Sequence, residues 1–344
     1  MITRLVRSHR FRTLLLLLTV LTVATSCGWS LWDSPMTTVR PRSDFGRWID
    51  EIFMLISWWT LGIFIAVEGA LLYCVWRFRE RPGAPPPKQV HGHNLLEISW
   101  TVAFAVVLLI IGIPTIRIIF RTQEAPAATD LRVDVAGHQW WWEFKYPDFK
   151  ITTANEVHLP GGRTVAFYLH APDVIHSFWI PGLGGKRDVV PHRVNRIIMT
   201  PDVHTTTTEY IGQCAEYCGM SHANMRFRAI VHPKEEFEDW VKAQQAPPVD
   251  SKDALAQQGK EIFTKSACVG CHTINGVSLG QIGPDLTHFA SRHTFAGSLM
   301  KTTPENLAKW VENPGHMKPG ALMPNLGLTG EQSKAVAAYL LSLK

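Results

Sequence analysis

Apolar positions are spread very unevenly along this chain. Three long runs fall within the first 120 residues, and the rest of the chain has no comparable run. The first, LLLLLTVLTVA at 14–24, follows Arg4, Arg7, Arg10 and Arg12. It is too short to span a bilayer, so residues 1–26 read as a secretory signal peptide. The run ends in ATSC, which resembles a bacterial lipoprotein processing site with Cys27 as the acylated residue. Two further runs, at about 51–76 and 98–120, approach the roughly 20 residues that a spanning helix needs. Arg77, Arg79, Arg81, Lys88 and the stiff PGAPPP lie between them, which puts that turn in the cytoplasm. A transmembrane hairpin over 45–122 would thus leave everything after about Arg121 outside the cytoplasm. Glu68 and Glu97 fall within or beside these helices, where a carboxylate is costly. Glu68 is expected to make a helix–helix hydrogen bond, and Glu97 is placed to pass protons inward.

Beyond residue 121 the period shortens. LRVDVAG, TVAFYLH, RIIMT and FRAIVH alternate or are β-branched, and PGG and PGLGG punctuate them. The pattern predicts a small β-sandwich or barrel over 128–245, closed by a helix at EEFEDWVKAQQ. A linker at 246–251 follows, and then DALAQQGKEIFTK, PENLAKWVEN and GEQSKAVAAYLLSL predict an all-α domain over 252–344.

The net charge of +5 comes without dense Lys/Arg blocks, which argues against a nucleic-acid binder. Four of the six cysteines form two close pairs, CAEYC and CVGCH, a pattern nearer to cofactor chemistry than to a disulfide framework. In CVGCH, Cys268 and Cys271 suit thioether attachment of haem c, with His272 as proximal iron ligand. A redox dithiol would need a βαβ setting and a zinc knuckle a second ligand pair, and neither is visible. Met323, in GALMPNL, is the best candidate for a sixth ligand; Met300 and Met317 are weaker ones. CAEYCGMSHANM poses a choice between a disulfide and a metal cage. Thiolates of Cys214 and Cys218, imidazoles of His176 and His222 and the thioether of Met225 form a soft, copper-selecting set. Two bridging sulfurs can serve two coppers, with Met225 and the Glu216 carbonyl as weak axial ligands. A Cys214–Cys218 disulfide would leave the two histidines and the methionine without a reason.

The helical domain, with GPDL at 283–286, resembles a class I cytochrome c. Residues 45–244 resemble subunit II of the haem–copper oxidases, cytochrome c oxidase, through HNLLEISWT, GHQWWWEFKYP, DVIHSFWIPGLGGKRDVVP and GQCAEYCGMSHANM. With the appended cytochrome the chain looks like the subunit of caa-type oxidases. The resemblance implies a cupredoxin fold for the β domain and a binuclear CuA centre. The implied ligands are His176, Cys214, Glu216 (carbonyl), Cys218, His222 and Met225. It also implies that Trp140 is the electron-entry aromatic and that the Glu216 side chain ligates a magnesium ion at subunit I. Glu97 becomes the entrance of a proton path. The implied activity is an electron relay from haem c to CuA and on to the haem of subunit I, where dioxygen is reduced. Implied partners are subunits I and III, membrane lipid, and cytochrome c or a bc-type complex as donor. The implied location is the bacterial cytoplasmic membrane, with both cofactor domains on its outer side. A nitric oxide reductase bearing CuA is the alternative. The β domain is slightly acidic and the helical domain richer in Lys than in Asp plus Glu, which predicts a salt-sensitive docking of one on the other.

Overall fold

A computed structural model describes residues 13, 15–23, 34–83, 85–86, 88–249 and 251–344; Cys27 and its proposed lipid lie outside them. The chain divides into two compact units, Arg47–Ala125 on one side and Met1–Gly46 with Pro126–Lys344 on the other.

The first unit is built on α1 (Asp44–Arg77) and α2 (Asn94–Arg121), both long and apolar enough to cross a membrane. Both start earlier than the apolar runs suggest, because polar residues supply their first turns. His93 caps α2 by accepting the Leu96 N–H on Nδ1 at 3.2 Å, while Glu97 Oε1 accepts the His93 N–H at 3.2 Å. Glu97 thus satisfies an orphan helix-end donor. Glu68 is half-buried on α1, but among the described residues it makes none of the helix–helix hydrogen bonding expected of it.

The second unit opens with ten strands: β1 (Leu131–His138), β2 (Trp141–Tyr146), β3 (Ile151–Ala154), β4 (Glu156–Pro160), β5 (Val165–His170), β6 (His176–Trp179), β7 (Arg187–Val189), β8 (Asn195–Met199), β9 (Thr208–Cys214) and β10 (Arg226–His232). They form two five-stranded sheets, ordered β3-β2-β1-β5-β8 and β4-β10-β9-β6-β7. The β1–β5 and β4–β10 pairs are parallel and the remainder antiparallel, giving a mixed sandwich of the cupredoxin kind. Its core is aromatic: Trp142, Phe144, Phe167, Phe178 and Phe227 are wholly buried, with Phe178 stacked on Phe227 at 4.9 Å. Each such ring contributes about 1.5–3 kcal/mol by leaving water. Those rings sit on β2, β5, β6 and β10, so the same packing fixes the strand ends that carry the candidate ligands.

Helix α3 (Lys234–Gln245) closes the sandwich by packing Phe237 and Trp240 against its edge, Trp240 meeting Tyr146 at 5.2 Å. The helical domain follows as α4 (Ala254–Lys265), α5 (Cys268–Cys271), α6 (Pro304–Glu312), α7 (Pro314–Met317) and α8 (Gly330–Leu340). Asp253, Thr303, Asn313 and Thr329 cap four of them through side-chain oxygens. Gly259 lets α4 lie directly on α8, since a Cβ there would fall 1.9 Å from the Ala335 carbonyl oxygen. Two short ladders, 273–274 with 278–279 and 294–295 with 300–301, interrupt a domain whose sequence reads as all helix.

Candidate metal centre and haem cavity

The candidate copper ligands come from three places in the sandwich. His176 opens β6, Cys214 ends β9, and Cys218, His222 and Met225 lie on the loop joining β9 to β10. The β6–β9 register pairs Phe178 with Cys214, which brings the first strand's histidine beside the loop. The two sulfurs are 3.8 Å apart and unbonded. Nδ1 of His176 lies 3.9 Å from the Cys214 sulfur, and Nδ1 of His222 lies 3.5 Å from the Cys218 sulfur. Sδ of Met225 is 3.8 Å from the Cys218 sulfur, and the Glu216 carbonyl is 3.2 Å from that of Cys214. Two sulfurs at the centre, with one imidazole each and one weak donor each, is the arrangement that a sulfur-bridged copper pair requires. The donor set fits.

Second contacts aim these donors. Nε2 of His176 meets Asp173 Oδ1 at 2.9 Å, which leaves Nδ1 for a metal. Burial alone would lower the His176 pKa, but Asp173 and Cys214 together raise it. Burial works against the Asp173 carboxylate too, yet His176 and the N–H groups of Val174 and Gln139 hold it below its usual range. The hydrogen bond between the two sulfurs lowers the Cys214 thiol, and the same bond, with burial, pushes Cys218 up. Metal binding would require both sulfurs as thiolates and would release their protons. Asp173 was not legible as a functional residue; its place three residues before His176 was the available signal.

The loop carrying Trp140 is fastened to the same cage. Indole Nε1 of Trp140 donates to the Cys218 carbonyl at 2.9 Å, and Nε2 of Gln139 donates to the same oxygen at 2.8 Å. Gly219, at φ +112°, makes room, since a Cβ there would lie 3.1 Å from the indole. Glu216 stays exposed beside Tyr217 and Met220, so its carboxylate is available to a neighbouring subunit.

The helical domain holds a cavity of about 240 Å³ lined by Cys268, Cys271, His272 and Met323 among apolar side chains. Nδ1 of His272 bonds the Pro284 carbonyl at 2.8 Å, fixing the ring and leaving Nε2 for iron. A Cβ on Gly283 would fall 2.6 Å from that ring. Burial lowers the His272 pKa, which keeps the imidazole neutral and able to ligate. Arg292 lines the same cavity with a buried Nε that has no partner among the described residues, a donor suited to an acidic haem edge group. The residues fit haem c. Met323 borders the cavity; Met300 packs at the domain core and Met317 ends α7, and neither borders it. His138, Gln139, Trp140 and Trp141 of the sandwich form part of the same wall.

Comparison with known proteins gives the family. Residues 43–118 match the transmembrane domain of cytochrome c oxidase subunit II, 150–231 match its periplasmic domain, and 256–344 match cytochrome c. Cytochrome c oxidase subunit 2 of Alkalihalophilus pseudofirmus is 36% identical over 322 residues, which is 91% of this chain and 92% of that one. The Bacillus sp. (strain PS3) protein of the same name is 39% identical over 78% of this chain and 80% of its own. Among solved structures, the periplasmic domain of subunit II of cytochrome oxidase of Bradyrhizobium japonicum aligns with 36% of this chain and 97% of its own. Identity there is 30% and the TM-score 0.33.

Proposed function

The chain belongs to the cytochrome c oxidase subunit II family and carries a C-terminal cytochrome c domain, and on that footing we propose that it is the electron-entry subunit of a terminal respiratory oxidase. The family makes it a membrane protein with extracytoplasmic domains, part of an oxidase with subunit I, bearing haem c and copper of the CuA kind. When bound, haem c and the copper pair each supply a reversible one-electron couple.

The finer assignment follows residue by residue. Cys268 and Cys271 would hold haem c covalently, with His272 and Met323 as its iron ligands. His176, Cys214, Cys218, His222, Met225 and the Glu216 carbonyl would hold the copper pair. The electron donor would be a cytochrome c or a bc-type complex, Trp140 would bridge the haem cavity and the copper cage, and the acceptor would lie in subunit I. Dioxygen would be reduced to water there, with proton translocation. The exposed Glu216 carboxylate serves a magnesium ion at subunit I. Glu97 serves as the entrance of a proton path, and its capping of α2 holds it at that helix end. The signal peptide, a lipid on Cys27, subunit III and the bacterial cytoplasmic membrane belong to the same reading.

One observation carries it. Trp140 borders the haem cavity and donates its indole N–H to the carbonyl of Cys218, so one side chain touches both candidate centres. Metal analysis with electron paramagnetic resonance on the whole chain tests the reading. Two coppers sharing one unpaired spin, with one haem, is the expected result. Fewer than two coppers in a fully loaded preparation would rule the relay out.

A further inference from the structure

Two buried ionisable side chains cross the boundary between the sandwich and the helical domain in opposite directions. Glu156, on β4 of the sandwich, is 1% exposed, and its Oε1 accepts the backbone N–H groups of His293 at 2.7 Å and Thr294 at 3.0 Å. Lys318, just after α7 of the helical domain, is 3% exposed. Its Nζ donates to the Trp140 carbonyl at 2.5 Å and to the Ala296 carbonyl at 3.0 Å. Glu156 Oε2 reaches only a loose 4.0 Å contact with His158 Nε2, and among the described residues Lys318 makes no ion pair with a carboxylate. A buried carboxylate or amine is costly unless its hydrogen bonds are met. Glu156 is met by backbone of the helical domain, and Lys318 by the Trp140 carbonyl across the boundary and the Ala296 carbonyl of its own domain.

Three further features share this seam. Arg226 N–H donates to the Gly297 carbonyl at 3.1 Å, and Ser221 Oγ donates to the Pro319 carbonyl at 2.5 Å. Ala296, Gly297 and Ser298 all have positive φ, of +55°, +77° and +56°. Non-glycine residues adopt that region at a cost, so contacts elsewhere must hold the loop in place. At Gly297 a Cβ would lie 2.4 Å from the Asn224 carbonyl oxygen, and at Gly320 one would lie 2.9 Å from the Trp140 ring. The helical domain therefore meets the sandwich through backbone pressed against backbone, around Trp140.

We propose that Glu156 and Lys318 are the two prongs of an interdomain latch that fixes the haem-bearing domain on the copper-bearing domain with Trp140 clamped between them. Both are positioning residues, acting through backbone that borders the candidate centres. Burial lowers the Lys318 amine to about 7, but a neutral amine keeps two hydrogens and still donates to both carbonyls. The latch also turns the expected salt-sensitive docking round: both prongs are out of water, where salt screens them little. The reaction is then carried by a fixed arrangement, and no diffusive search by a tethered domain precedes it.

The proposal rests on the relay reading for its consequence and on geometry alone for its existence, so two measurements on the purified oxidase separate them. Hydrogen exchange reads the latch: amides at 293–298 and 139–142 are expected to be protected in the native chain. They should exchange at least tenfold faster in Lys318→Met and Glu156→Ala, and Glu156→Gln, which keeps an acceptor, should stay near native. Light-triggered reduction of the haem, followed at the copper absorption band, reads the relay. Its rate is expected to be flat with salt in the native protein. In the two disrupted variants it should fall at least tenfold and become salt-dependent, with haem and copper spectra unchanged. Unprotected amides in the native chain, or unchanged protection in a Lys318→Met/Glu156→Ala double variant, would overturn the latch even if transfer is fast. Protected amides with no haem-to-copper transfer would leave the latch standing and remove the relay.

Discussion

Trp140 and Cys218 are joined through the indole N–H and the main-chain carbonyl at 2.9 Å, and Gln139 reinforces the same oxygen. A ring on the haem cavity wall is thereby tied to the backbone of a copper-cage cysteine. Trp140→Phe keeps an aromatic wall but removes the donor, and Gln139 still serves the carbonyl. The net loss in stability should be about 1 kcal/mol. Copper resonance should persist while haem-to-copper transfer slows. A rate equal to that of the native protein would show that the indole N–H contributes nothing to the path.

Asp173 fixes the tautomer of His176 by binding Nε2. Replacing it with Ala frees the imidazole to rotate and removes the carboxylate that raises ligand basicity. Copper affinity should fall about 10–100-fold, as for outer partners of other ligand histidines. Competition with a chelator of known affinity, read by the copper spectrum, measures it. Asp173→Asn, which can still accept a hydrogen bond, should lie between the two. Equal retention by all three would reduce Asp173 to a loop-closing residue.

Met323→Ala should leave haem attached through Cys268 and Cys271 while abolishing the low-spin spectrum, because the cavity offers no second thioether at that wall. Met300 packs against the domain core and Met317 ends α7, so neither replaces it without refolding. A spectrum unchanged from native would move the sixth ligand elsewhere.

Four of the ten sandwich strands (β1, β5, β8 and β10), the closing helix and the three long C-terminal helices were legible because period, turn residues and caps agree in each. CAEYC and CVGCH were legible because their spacing matches a chemistry. The starts of α1 and α2 were less so: Asp44 and His93 belong to polar stretches, and hydropathy sees only the apolar part. The partnership expected for Glu68 is absent among the described residues, as helix–helix contacts leave no trace in one chain's pattern. The seam was invisible for a different reason. Glu156 and Lys318 look like surface charges in EVHLP and HMKPG, and their burial comes from another domain's backbone. Charge balance between the domains suggested attraction but gave no hint that the charges would be dry.

Gly320 is the position where the latch and the tryptophan meet. Its φ of +81° favours glycine, and a Cβ would meet the Trp140 ring at 2.9 Å and Met220 Sδ at 3.2 Å. Gly320→Ala combines backbone strain of about 1 kcal/mol or more with a clash that only a shift of the ring or the loop relieves. Haem attachment should survive, since Cys268, Cys271 and His272 lie elsewhere on the chain. Transfer to copper should slow, and Trp140 should gain solvent access. Unaltered quenching of tryptophan fluorescence and an unaltered rate would show that the loop absorbs a methyl group freely.

A pair of imidazoles beneath the seam gives the acid response. Nδ1 of His158 lies 2.8 Å from Nε2 of His232, whose Nδ1 lies 2.9 Å from Thr207 Oγ1, and Thr207 bonds Glu236. Burial lowers both imidazole pKa values below the ordinary 6.5, with the His158–His232 repulsion adding to it at His158. Glu156, His293 and Arg292 face the same pocket. Unfolded imidazoles bind protons near pH 6.5 while the native pair resists, so the unfolded state binds more protons there. Stability is full above 6.5 and falls as pH drops below it, by about 1.4 kcal/mol per pH unit for each proton withheld. Burial raises the Glu156 carboxyl, so the native state takes that proton more readily; this opposes the imidazoles and makes the slope shallower. His158→Gln should flatten the acid limb of thermal unfolding between pH 7.5 and 5, followed on the whole chain in detergent. An identical slope in variant and native protein would assign the acid response to other groups.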